Sequence, residues 1–183
     1  MAIEKYSTES FILSSFESGE NDRTFKLFTK EFGLLNARAT SVRKENSKLR
    51  AHLHEGRLAR VTLVKGKEIW RIVGGEEIAE KNRFISEVSK IIERFVRGGG
   101  QQKRLFEHMY DLSIKKGLDE RMKKLLAYYL ILVDLGYADA EIIGAENISE
   151  YKKWEIDQFY TQLILARNEV KEHIALVLKE MHL

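Results

Sequence analysis

A change of period constrains this chain more than any other feature. Up to residue 75, apolar residues alternate with polar ones in short runs; from Glu76 they recur at helical spacing. Alternation sends successive side chains to opposite faces of a strand, whereas spacing of three and four builds one face of a helix. Five alternating runs precede the switch. They span residues 3–18, TFKLFTK from Thr24, residues 34–42, RLARVTLV from Arg57 and EIWRIV from Glu68. The breaks between them are turn-like: Glu17-Ser18-Gly19-Glu20-Asn21, Glu31-Phe32-Gly33 and Lys65-Gly66-Lys67-Glu68, with Gly74-Gly75 closing the last run.

In the first run Phe11 and Leu13 share one face, and Ile12 and Phe16 share the other. Both faces are therefore partly covered, as in a small barrel. Five strands, with a loop or short helix between the third and fourth, match the OB-fold. An SH3-like barrel is the competing topology, but its first strand is rarely this long.

After the switch, Ile78, Ile85, Val88, Ile92 and Phe95 mark a first helix, stopped at Gly98-Gly99-Gly100. Glu76-Glu77 then reads as an acidic helix start. A second helix, from about Gln102 to Lys116, buries Leu105, Met109 and Leu112. Asp119 is placed to cap a third that runs through the apolar LLAYYLILV, the expected centre of the helical part. Asn147 and Glu150 stand in capping-box order before a long final helix. Ile156, Tyr160, Leu163, Val170, Ile174, Val177 and Met181 keep a 4-3 rhythm along it, broken at Arg167. That helix either packs on the bundle or forms a seam with another subunit. The expected fold class is α+β, with a five-stranded OB-fold barrel at 1–75 and an all-α helical domain at 76–183.

Composition narrows the function. Cysteine is absent, which excludes disulfides, thiolate metal sites and cysteine nucleophiles. No apolar run is long enough to span a bilayer, and MAIEKYSTES has no apolar core of a secretory signal. These features lead us to expect a cytoplasmic protein with no membrane partner. Charge is uneven. Arg38, Arg43, Lys44, Lys48, Arg50, Arg57 and Arg60 are opposed between residues 38 and 60 only by Glu45 and Glu55, a local +5 in a chain of net charge +3. Such an excess on strands and the loop between them suits an anionic polymer. A solvated basic sheet edge is the alternative.

YSTESFILSSFESGENDRTFKLFTKEFGLL, followed by Ser47-Lys48-Leu49-Arg50, resembles the N-terminal domain of the RecO family. Tyr6, Thr8, Glu9, Asp22, Arg23, Leu27, Phe28, Thr29, Gly33, Ser47, Leu49 and Arg50 carry the likeness by their order and spacing. The likeness covers about the first 75 residues; the remainder is similar only as a helical pattern. It implies a DNA repair and recombination mediator that binds single-stranded DNA without sequence preference. Such a mediator anneals complementary strands and helps a recombinase load onto DNA covered by single-strand-binding protein. The implied partners are single-stranded DNA, a RecR-like protein and the C-terminal tail of single-strand-binding protein. Many members carry four zinc-binding cysteines after a leucine-rich helix ending Leu-Gly-Tyr. Leu135-Gly136-Tyr137 matches that helix end, but no cysteine follows.

No catalytic constellation emerges: there is no Gly-x-Ser-x-Gly elbow, His-Glu-x-x-His pair or Walker-type loop. The chain therefore reads as a binder and not an enzyme, with no cofactor. His52 and His54 have metal-like spacing but lack the ligands to close a zinc site, so no metal is expected. Asp22, beside Arg23, suits an ion pair or turn cap better than a magnesium site. The expected DNA-binding residues are Arg38, Arg43, Lys44, Lys48, Arg50, Arg57 and Arg60, with Phe32 as an aromatic platform. Phe16 and Trp70 are the other platform candidates, and alternation assigns both to the core. A protein-interaction adaptor and an RNA-binding module are the rival readings.

Overall fold

The computed structural model describes residues 4–79, 83–98 and 100–180. The alternating runs form β1 (Lys5–Glu17), β2 (Arg23–Thr29), β3 (Gly33–Ala39), β4 (Leu58–Lys65) and β5 (Trp70–Ala79). They close into a barrel in the order β1-β2-β3-β5-β4, with β4 returning to β1. All pairings are antiparallel except β3 with β5. A single 3₁₀ turn, Lys48–Ala51, lies between β3 and β4. This is the OB-fold order, as the sequence predicts.

Ile12, Phe25, Leu27, Ala37, Ala39, Ala59, Val61, Leu63 and Ile72 fill the barrel, and Val42 and Leu53 join them from the loop after β3. Small alanines on β3 and β4 face large residues elsewhere, which keeps a narrow barrel closely packed. On the outside, Phe11 of β1 and Phe28 of β2 are fully buried, with the Phe106 ring 5.0 and 5.7 Å away. Each such side chain contributes about 1.5–3 kcal/mol by leaving water.

Two expectations fail at β5. The sheet does not end at Gly74-Gly75, and no helix starts at Glu76. The strand runs through both glycines to Ala79, with a register shift opposite Thr62 and Leu63. The glycines admit close neighbours. A Cβ on Gly74 would stand 3.0 Å from Thr62 Oγ1, and one on Gly75 would stand 3.4 Å from Leu49. Glu76 and Glu77 are accordingly strand residues, and their carboxylates meet Arg60 and Arg57.

The helices are α1 (Arg83–Phe95), α2 (Lys103–Ile114), α3 (Glu120–Asp134), α4 (Ile148–Tyr151), α5 (Ile156–Leu165) and α6 (Arg167–Glu180). Packing divides the chain into Met1–Phe106 and Glu107–Leu183, so α1, which lies against β1, goes with the barrel. The period switch at residue 75 and the packing division are thus different boundaries. In the second unit α3 is central, burying Leu126, Ala127 and the run Tyr129–Val133. Asp119 caps it, accepting from the Met122 amide at 2.9 Å. Asn147 caps as expected, its Oδ1 accepting from Glu150 N at 3.0 Å, but the reciprocal bond of a capping box is displaced by one residue, Glu150 Oε2 accepting from Glu146 N at 2.7 Å. The cap opens only the single turn α4. The expected final helix is three pieces, and α5 gives way to α6 where Arg167 interrupts the apolar rhythm. Gly99 and Met181 lie outside the described residues.

Candidate nucleic-acid interface

The register sorts the loops to two ends of the barrel. One end carries the β1–β2 turn, the exit of β3 and the entry to β4; the other carries the β2–β3 and β4–β5 turns. The first end is basic. Its loop is built on Asp22, whose Oδ1 accepts from the Ser41 amide at 2.8 Å, while the Arg43 amide donates to Asn21 O at 3.1 Å. These two bonds tie the exit of β3 to the start of β2, and Asp22 acts as the cap its position suggests. Turns through Lys44 N–Ser41 O and Ser47 N–Lys44 O then lead into the 3₁₀ turn.

A groove of about 470 Å³ opens here. Arg23, Arg43, Arg50, His54 and Glu17 line it together with the buried Phe25, Val42 and Leu53. The Nε of Arg23 and that of Arg57 are shielded from solvent without a hydrogen-bond partner among the described residues. His54 feels both its partial burial and these charges. Partial desolvation, then the positive charge of Arg57, with Arg23 and Arg50 adding to it and Glu77 opposing, holds its imidazole below the ordinary histidine range. The arginines that contribute to this shift would also attract a phosphate.

The seven expected cations do not form one patch. Arg43, Lys44, Lys48 and Arg50 are exposed around the groove's loop. Arg43 is bridged to Glu17 at 3.0 Å. Arg57 is half-buried and paired with Glu77. Arg60 lies on the outer face of β4, between Glu9 at 3.5 Å and Glu76 at 3.8 Å. Arg38 is on the outer face of β3, in register with Arg71 of β5. Carboxylates from β1 and β5 thus answer part of the local excess, and Arg38, Lys44, Lys48 and Arg50 form no ion pair among the described residues.

Of the three aromatic candidates, Trp70 packs against the core as alternation assigns it, while Phe32 and Phe16 have surroundings other than expected. Phe32 is at the opposite end of the barrel, half-buried, with its ring 5.5 Å from Tyr6 and 5.1 Å from Trp70. Thr29 holds this turn, its Oγ1 donating to Gly33 O at 2.9 Å and accepting from Phe32 N at 3.0 Å. Phe16, which alternation assigns to the core with Ile12, is 56% exposed. A register shift between Ile12 and Ser14 turns it outward. Arg23 and His54 line the groove without belonging to the expected set, and Phe16 and Arg71 are exposed on the outer face. The hairpin turn before Arg23 is one signal for its place, since it brings Glu17 opposite Arg23.

Comparison with known proteins agrees with this barrel. Residues 1–80 match the family described as recombination protein O N terminal. Over 73 residues the chain is 38% identical to a DNA repair protein RecO of Dehalococcoides mccartyi, covering 40% of this chain and 29% of that protein. It is also 38% identical over 64 residues to a DNA repair protein RecO of Desulfitobacterium hafniense, covering 35% of this chain and 23% of that one. The matched stretch spans less than a third of the length of these relatives. Several residues that carry the likeness have visible work in the barrel: Asp22 caps the loop, Arg23 lines the groove, Leu27 fills the interior, and Thr29 and Gly33 set the far turn. Residues 1–80 are thus similar to the N-terminal domain of recombination protein O, and the likeness stops at the barrel.

Proposed function

We propose that this chain serves DNA repair and recombination by binding single-stranded DNA without sequence preference. The observation that carries the reading is the groove where Arg23, Arg43, Arg50 and His54 meet, with Lys44 and Lys48 beside it. Contacts of this kind grip phosphates, which all sequences share. Neutralising phosphates while leaving base edges free also lets two complementary strands approach, so the protein anneals strands. By the same route it helps a recombinase load onto DNA covered by single-strand-binding protein. It acts by binding, and no step makes or breaks a covalent bond.

The helical unit supports a second contact. A groove of about 330 Å³ is lined by Met122, Leu125 and Tyr128, with Arg121, Lys124, Arg167 and Lys171 around it. An apolar floor with cations at its rim suits an acidic peptide that ends in an apolar side chain, as expected for the C-terminal tail of single-strand-binding protein. A RecR-like protein is the other proposed partner, with no surface assigned to it.

Titration of a fluorescent single strand at several salt concentrations tests the first contact. Reversal of Arg43, Lys44, Lys48 and Arg50 to Glu is expected to weaken binding alike for all sequences. It should also flatten the slope of log K against log salt by about 3. The same number of reversals at Lys116, Lys152, Lys153 and Lys179 should change it much less. Equal losses from both sets would move the site off the barrel. Annealing should fade with salt in parallel with binding; tight binding with an unchanged annealing rate would leave a passive strand-binding role. For the second contact, Arg121→Glu should abolish capture of an acidic, apolar-ended peptide and leave strand binding intact.

A further inference from the structure

The outer face of the barrel carries a row that the groove does not include. Across four strands the register aligns Phe16 of β1 with Thr24 of β2, Thr24 with Arg38 of β3, and Arg38 with Arg71 of β5. Residues directly opposite one another in a ladder point to the same face. Phe16 is on this face only because of the shift between Ile12 and Ser14; strict alternation from Ile12 would turn it into the barrel. Bulges re-aim single side chains, and this one exposes a ring on a sheet. One row along, Lys26 is held by Glu93 of α1 at 3.2 Å, whereas Phe16 and Arg71 stay exposed. Neither Arg38 nor Arg71 forms an ion pair among the described residues, and the Nε of Arg38 has no hydrogen-bond partner there.

We propose that Phe16 is a stacking platform for an unpaired nucleobase, with Arg38 and Arg71 holding the phosphates of the same strand. The proposal rests on the single-strand reading above and adds the feature that distinguishes bases from phosphates alone. Strands in a sheet are spaced by about 4.8 Å, so Arg38 and Arg71 stand roughly 10 and 15 Å from Phe16 along the row. That is within the reach of one or two nucleotides. The groove adjoins the platform, because Glu17 lines the groove and follows Phe16 directly. A ring that meets a base by its face requires the base to be unpaired and unstacked, which selects single strands over duplex. It reads no hydrogen-bonding edge, so it adds no sequence preference.

The test compares oligothymidylate with an abasic strand of equal length, which keeps the phosphates and lacks the bases. The wild-type chain should bind the base-bearing strand roughly tenfold more tightly than the abasic one. Phe16→Ala should bind both at the abasic level, with its melting temperature and salt slope unchanged, since the ring is largely in water. Phe16→Trp should keep the preference, and base-bearing strand alone should quench its added indole emission. If Phe16→Ala retains the preference for bases, the platform is refuted and the electrostatic reading stands. If the wild-type chain shows no salt-dependent binding of either strand, the reading beneath it fails and the platform with it.

Discussion

The two ends of one barrel are closed by opposite chemistry. At one end the rings of Tyr6, Phe32 and Trp70 pack edge to face or tilted, with centroids 5.1–5.7 Å apart, and satisfy one another. At the other, Val42 and Leu53 seal the core while Arg23, Arg43, Arg50 and His54 stand above them. The aromatic end gains its stability from burial and ring packing. The basic end holds like charges close together, an arrangement that costs free energy until an anion arrives. The proposed binding is therefore separated from the ring packing along the barrel axis, and substitutions at the two ends should move different observables.

The largest effect is expected at the aromatic end. Gly33 has φ +65°, and a Cβ there would stand 2.0 Å from Gly100 O. Gly33→Ala adds a left-handed penalty of about 1–2 kcal/mol to a backbone collision, so the loss should exceed about 3 kcal/mol. Thermal melting measures it, and an unchanged midpoint would break the claim that this end is rigidly built. Trp70→Ala follows, with a loss of about 2–3 kcal/mol from a ring packed on both Tyr6 and Phe32. Its remaining folded fraction should bind single strands with an unaltered salt slope. A flattened slope would mean that the two ends are not separate.

The next test uses pH at the basic end. Since the folded chain holds the His54 imidazole below its ordinary range, the unfolded chain takes up that proton first. His54 therefore favours folding above about pH 6.5, and this contribution is lost as pH falls through its lower folded value. Wild type should lose melting temperature relative to His54→Gln over that window. Strand affinity should move the opposite way, because a phosphate beside Arg23, Arg50 and Arg57 offsets their field and makes protonation easier. Parallel pH profiles for the two proteins would place His54 outside the binding field.

The smallest effect sharpens the contrast by removing an acid. Glu17 bridges Arg43 at 3.0 Å with both side chains well exposed. Such pairs contribute about 0–1 kcal/mol, so Glu17→Gln should leave stability nearly unchanged. With Arg43 released, strand binding should tighten by about two- to fivefold, an amount of the same order as the pair itself. Weaker binding in Glu17→Gln would show that the carboxylate orders the groove more than it competes for it.

Much of this was legible in the chain. Short-range patterns carried it: alternation for the five strands, Asp119 and Asn147 for helix caps, Gly33 for a turn, and the apolar run around Leu130 for the centre of the helical unit. Each depends on residues two to four apart, whose spacing sets which face or backbone group they meet. The basic loop was legible too, since Arg43, Lys44, Lys48 and Arg50 are neighbours in sequence.

What tertiary structure alone decided depends on partners far apart. Glu9 reaches Arg60 across 51 positions and Glu77 reaches Arg57 across 20, so a local count of charges could not show which cations remain unpaired. β5 continues through Gly74 and Gly75 because β4 and the 3₁₀ turn come close to it, which no local pattern records. Phe32 finds Tyr6 and Trp70 only when three separate segments converge. Above all, one displaced residue in the β1–β2 register sends Phe16 out of the barrel. Side chains in a strand alternate with period two, so a single shift inverts every face beyond it, and that shift is set by the pairing of strands rather than by the run of residues itself.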